Sequence, residues 1–153
     1  TIMVDKGSAE GVGRGMAVAN ADGVIGRVIK VGYHHSLILL LIDRSSGVDA
    51  LIQRSRDRGI LKGGVEGVCR LEFVVRNADV IAGDMIVTSG LAGAFPKGLI
   101  LGQVSRIEME PGGQGMFQVI EVAPAVNFDR LEEVLIVLQE NPFLSEFAGE
   151  PDG

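Results

Sequence analysis

The chain has one cysteine, one tyrosine, no tryptophan and two histidines in 153 residues. A lone Cys69 forms no disulfide within the chain and closes no cysteine-based metal site. It lies in an alternating apolar stretch, where it reads as a small buried hydrophobe. His34 and His35 are neighbours, and neighbours on a strand face opposite ways, so one metal ion rarely sees both. No metal and no cofactor is expected. Basic charge is also short, with 14 Lys and Arg against 20 Asp and Glu and a formal net charge of −6. There is no concentrated cationic face to displace counterions from a phosphate backbone, so nucleic acid is not an expected partner. The densest basic run, Arg54 to Arg58, is interrupted by Asp57 and reads as a solvated turn. Long apolar runs are missing too: Leu37 to Ile42 is a strand's length, far below the ~18 residues of a membrane span. Because the chain begins at Thr1, it reads as a piece of a longer protein, with any signal or anchor cut away.

What the chain does have is aliphatic residues and glycine. Its hydrophobic fraction is 46%, and 22 Gly with 5 Pro punctuate it. Val, Ile and Leu suit a pleated surface and Gly and Pro supply turns, so the composition predicts an all-β fold of many short strands with little helix. Strands are expected at Met16–Ala19, Gly23–Val31, Ser36–Asp43, Val48–Arg54, Arg58–Lys62, Gly67–Val75, Met85–Thr88, Leu99–Glu110, Gly115–Val126 and Arg130–Gln139. Pro111 to Gln114 marks the turn of a long hairpin. Asn127 or Asp129 caps at most one helical turn before a strand at Val134–Leu138, and 141–153 reads as an acidic, flexible tail.

The organising stretch is GDMIVTSGLAGAFPKGLILGQV, Gly83 to Val104. Gly83, Gly90 and Gly98 with Pro96 set a rigid loop between two strands by backbone chemistry. Asp84 reads as a turn carboxylate and the Ser89 hydroxyl as a support for the turn. Tyr33, Leu91 and Phe95 are large apolar loop residues, each either an anchor for a partner or folded over the core; for Phe95 capping the core is favoured. A self-match lays Gly7–Val18 over Gly90–Leu101, pairing Gly15 with Gly98, and then Val24–Val31 over Ile100–Ile107, pairing Gly26 with Gly102. Two such units are each too small to bury much surface alone. The expectation is two small packed β-barrels of about six strands each, residues 1–75 and 76–140, with strand exchange between them left open.

Catalytic motifs are weak. GVGRG at Gly11–Gly15 lacks the helix and the GK[ST] ending of a phosphate loop. Ser89 lacks the G-x-S-x-G context of a nucleophile elbow; a triad with His34 or His35 and Asp43 or Asp49 is neither supported nor excluded by spacing.

The segment Gly83 to Val104 resembles the signature of the rod shape-determining protein MreC family. VDKGSAEGVGRGMAV, DGVIGRVIKVG, SLILLLID, RGILKG and PAVNFDRLEEVLIV follow in that family's order, so the likeness covers Ile2 to Gln139. It implies a non-enzymatic scaffold of the cell-elongation machinery on the extracytoplasmic face of a bacterial inner membrane, held there by an N-terminal anchor absent from this chain. Implied partners are the class B penicillin-binding transpeptidase and MreD, with MreB as a functional partner and self-association. No partner-binding residue carries over. Two other readings stand beside it: a serine-type wall hydrolase or protease using Ser89, and a barrel domain of a periplasmic channel adaptor.

Overall fold

Aliphatic residues alternate with polar ones along most of the chain, and in the computed structural model these runs become strands. The structure describes residues 1–91, 95–109, 115–131 and 135–137. Its strands are β1 (Ile2–Val4), β2 (Ala17–Ala19), β3 (Val24–Val31), β4 (Ser36–Leu40), β5 (Gly47–Ile52), β6 (Arg58–Lys62), β7 (Cys69–Val75), β8 (Met85–Thr88), β9 (Ile100–Met109), β10 (Phe117–Pro124) and β11 (Leu135–Val137). The expected all-β fold is found, and each strand from β2 onward falls within or beside a predicted run. Helix among the described residues is confined to short 3-10 turns, one at Phe128–Arg130 where the Asn127 side chain accepts from the Asp129 N–H at 3.0 Å. The hairpin turn expected at Pro111–Gln114 and the tail at 141–153 lie outside the described residues.

Two β units result. One is a closed barrel of six strands in the order β10-β7-β6-β5-β8-β9, and the other a five-stranded sheet in the order β1-β4-β3-β2-β11. The sheets divide after β4, not near residue 75: β5, β6 and β7 all belong to the barrel, and β11 returns across the chain to pair with β2. That return is the strand exchange the sequence left open.

Both units are built on one ladder. Val18 faces Gly26 across β2 and β3, as Ile86 faces Gly102 across β8 and β9. In each case the register then slips by one residue, leaving Ile25 or Leu101 as the bulge. The bulged carbonyls accept from the N–H of Leu41 (2.8 Å) and Ala125 (3.1 Å). The Gly26/Gly102 match read from sequence is therefore structural. Its chemical reason is close approach, since a Cβ on Gly26 would lie 1.9 Å from the Leu39 carbonyl oxygen and one on Gly102 2.3 Å from that of Ala123. The other half of the self-match needs correction. Gly15 corresponds to Gly83 and not to Gly98: Gly15 and Gly83 have φ of 89° and 94° and donate to the carbonyls of Val28 and Val104, themselves a matched pair. Pairing Gly15 with Gly98 puts the extra residues of the self-match in the first copy, whereas the longer connection lies in the second, between β8 and β9.

Extending the ladder matches β1, β4, β3, β2 and β11 to β7, β10, β9, β8 and β5. Among the described strands only β6 has no counterpart, and it is the strand that closes the barrel. The barrel core is filled by Ile52, Leu61, Leu71, Ile86, Leu101 and Ile120, all fully buried, and each contributes about 1.5–3 kcal/mol of burial. A second cluster around Val18, Ile25, Val28 and Ile38 lies under the sheet; Ile42 and Phe128 pack against both.

Candidate partner-binding surface

The loop after β8 is held by Thr88, Ser89 and its glycines. Thr88 is fully buried; its hydroxyl donates to the Pro96 carbonyl and accepts from the Leu99 N–H at 2.8 Å, while its own N–H donates to the Leu99 carbonyl. Asn20 holds the matching position in the sheet, accepting from the Gly23 N–H. Gly98 has φ 84° and donates to the Thr88 carbonyl, and a Cβ on Gly90 would lie 2.8 Å from that of Lys97. The Ser89 hydroxyl accepts from the Leu91 N–H at 3.3 Å, a turn support as expected.

Asp84 is buried and accepts from Arg54 Nε (2.8 Å) and Nη2 (3.0 Å) and from the Ile81 N–H (3.0 Å). Arg54 also reaches Asp79 at 2.7 Å. The hydrogen bonds from Arg54 hold both carboxyls below their ordinary range, against the desolvation that burial imposes on Asp84. The basic run at Arg54 thus fastens the β5–β6 turn to the start of β8. Its carboxylates are charge partners and not an acid–base pair.

Of the triad candidates, Asp49 meets Ser89 through the backbone, its carbonyl accepting from the Ser89 N–H at 3.1 Å, and the others are engaged elsewhere. His34 Nδ1 lies 3.2 Å from Glu10, Asp43 binds the N-terminal amine at 2.7 Å and the Leu40 N–H at 2.9 Å, and Ser89 serves its own turn. Cys69 is buried, and desolvation pushes its thiol up to about 11, which suits packing and not nucleophilic attack. Among the described residues no group of His, Cys, Asp and Glu is placed to hold a metal ion, and no helix is long and apolar enough to cross a membrane.

The three expected anchors are separated by burial. Phe95 is 7% exposed and packs in the barrel core, so it is not a surface anchor; the core-capping alternative describes it. Tyr33 is 71% exposed on the β3–β4 turn, with its ring edge-on to His34. That turn is held by the Ser8 and Ala9 N–H groups, which donate to the Gly32 and Tyr33 carbonyls. Leu91 is exposed on the loop after β8.

A surface the sequence reading missed lies at one end of the barrel. Between β7 and β10 the register slips: Val74 faces Gln118 but Leu71 faces Ile120, so Glu72 and Phe73 together oppose Val119. Phe73 absorbs the bulge at φ 65°, a conformation that costs a non-glycine residue of order 1 kcal/mol. The bulge leaves its ring 52% exposed and edge-on to Phe117, with centroids 5.6 Å apart. Val75 faces Phe117 across the strands, and Met116 beside it is 75% exposed. Beneath this patch the buried Gln118 amide donates to the carbonyls of Val75, Arg76 and Ala78 at 3.0–3.1 Å, and the Arg76 N–H bonds the Met116 carbonyl. The result is a rigid apolar face, with the Arg106–Glu108 ion pair on the neighbouring strand. A strained backbone position thus holds the exposed Phe73 ring against the half-buried Phe117.

The model of the rod shape-determining protein MreC barrel core matches residues 1–138. The chain is 34% identical over 137 residues to the cell shape-determining protein MreC of Escherichia coli, a match covering 89% of this chain and 37% of that protein, so it spans little more than a third of that relative. A crystal structure of MreC from Pseudomonas aeruginosa superposes with a TM-score of 0.82 at 32% identity, over 89% of this chain and 87% of that one. A chain of the complex between penicillin-binding protein (PBP2) and MreC from Helicobacter pylori shares the fold at a TM-score of 0.64 and 21% identity, over 78% of this chain and 74% of that one. The chain belongs to the MreC family of shape-determining structural proteins, which are not enzymes, and it matches their barrel core.

Proposed function

We propose that this domain is a scaffold of the bacterial cell-elongation machinery that binds a class B penicillin-binding transpeptidase through the apolar barrel end. The supporting observation is the strained, exposed Phe73 packed on Phe117, with Val75 and Met116 beside it. Aromatic anchors on a pre-organised surface carry a large share of the energy in protein interfaces. A penicillin-binding protein as partner is supported by the Helicobacter pylori complex of PBP2 with MreC, and the class B transpeptidase is what the family resemblance implies. The reading includes an extracytoplasmic location, with an N-terminal anchor in the full protein. MreD is its membrane partner, MreB its functional partner, and self-association is part of the same assembly.

Two variants test it against the purified extracytoplasmic region of the transpeptidase from the same organism. Phe73→Asn keeps a residue type that tolerates positive φ while removing the ring, and Met116→Gln removes a second apolar group. Binding weakened by about tenfold or more in Phe73→Asn, with an unchanged or higher melting temperature, is the expected result. Wild-type affinity in both variants would remove the barrel end from the interface. Failure of the folded wild-type domain to bind would remove the transpeptidase.

A further inference from the structure

On the wall of the barrel, Lys62 of β6 stands directly opposite Arg70 of β7. Both point outward, because Leu61, Cys69 and Leu71 beside them are buried in the core. Residues so placed have Cβ atoms about 5 Å apart, and like charges there repel. Arg44, on the segment that carries the chain from the sheet to the barrel, brings a third cation to the same cleft of ≈ 380 Å³. Among the described residues none of the three has an ion-pair partner, whereas Arg54 pairs with both Asp79 and Asp84 and Arg106 with Glu108. The carboxylate lining the cleft, Glu72, faces Ile60 in register and forms no ion pair with them. In a chain of net charge −6, three cations with one carboxylate form a local excess of the opposite sign.

We propose that this cleft receives an acidic segment of a protein partner, taking carboxylates between Arg44, Lys62 and Arg70. Phosphate sites are commonly built from converging backbone N–H groups. Here the Gly63 N–H, one of the backbone donors lining the cleft, is donated to the Ser46 carbonyl. What the cleft offers is side-chain cations along a strand pair, two of them planar guanidinium forks that match carboxylates two bonds at a time. The bound carboxylates relieve the repulsion across the Lys62–Arg70 rung. The cleft adjoins the apolar end, since Glu72 precedes Phe73 in the same bulge, but it takes none of the apolar residues Phe73, Val75, Met116 and Phe117 and does not depend on the identity of the partner bound there.

Fluorescence anisotropy with a labelled peptide of alternating Asp and Glu tests it, with a peptide of alternating Asn and Gln as the neutral probe and inorganic phosphate as competitor. Saturable binding of the acidic probe alone, weakening as salt rises from about 50 to about 200 mM, is expected. The double variant Lys62→Gln with Arg70→Gln, checked for wild-type circular dichroism and melting, binds about tenfold or more weakly, and Glu72→Gln binds more tightly. Equal binding by the double variant, or no saturation in wild type, overturns the proposal. Displacement of the peptide by equimolar phosphate also overturns it and makes the cleft a phosphate site.

Discussion

In the sheet, Ala21 and Asp22 make the turn between β2 and β3, while in the barrel residues 89–98 join the matching strands β8 and β9. The sheet keeps β1 and β11 at its edges, each paired to one strand among the described residues, where the barrel adds β6 and has no edge. Beyond these two differences the central ladder coincides, with matching bulges at Ile25 and Leu101 and at Ile29 and Ser105 and matching glycines at Gly26 and Gly102, while the Phe73 bulge of the barrel has no counterpart between β1 and β4. The comparison teaches that a small all-β unit is specified by its central three-strand ladder. Closure and loop length are additions, and the candidate surface and cleft lie on the closed copy. A closed ring resists shear between strands and leaves no unpaired backbone to aggregate, so it suits a rigid contact surface.

The sharpest way to break this equivalence is to add one methyl group to each ladder. Gly26→Ala and Gly102→Ala both drive a Cβ into a backbone carbonyl, and each is expected to cost about 3 kcal/mol or more in chemical denaturation. Gly102→Ala costs the more of the two despite its milder overlap, because a closed barrel has no edge along which to relax. A harmless Gly102→Ala would dissolve the match.

Next in size is Asp84, whose counterpart in the sheet is Met16. Asp84→Ala leaves Arg54 without its buried partner, and a loss of about 2–3 kcal/mol is expected. The equivalence also predicts an acid-labile barrel. The Asp84 carboxyl is lowered in the folded state, so the unfolded chain binds more protons in acid. Its contribution is complete above the unfolded value of about 4 and is lost as pH falls through the lowered folded value. Barrel amides should therefore lose exchange protection in this range before sheet amides do, and Asp84→Asn should flatten the difference.

A smaller effect separates the two turn supports. Thr88→Val leaves the Leu99 N–H without its buried acceptor and is expected to cost about 1–2 kcal/mol, whereas Asn20→Ala acts on a turn nearer solvent and costs about 0.5–1 kcal/mol. Thermal melts of the pair rank them. Smallest is the gain of up to about 1 kcal/mol expected from Phe73→Asn, since asparagine accepts positive φ more readily.

Much of the fold was legible because strand identity is local. Alternation and glycine spacing located the strands, and the short turn at Asn127 followed from its capping chemistry. The division into units was not legible, because whether β5 joins the sheet or the barrel depends on register with β8, far along the chain. Gly15 was matched to Gly98 for the same reason: glycine marks a turn without saying which strand pair it serves. The candidate surface was missed because Phe73 sits inside a run that alternates like any strand, and nothing in a phenylalanine announces positive φ. The available signal was two phenylalanines, Phe73 and Phe117, in strands of a chain with few aromatics. Searching loops for anchors led instead to Phe95, which the core takes.

The central claim is that the stiff closed copy presents its bulged end to the transpeptidase. Hydrogen exchange of the wild-type domain, alone and saturated with the transpeptidase's extracytoplasmic region, tests it most directly. The account predicts new protection at residues 73–76 and 116–119. Protection confined to the turns bearing Tyr33 and Leu91, with the barrel end exchanging as in the free domain, would contradict it.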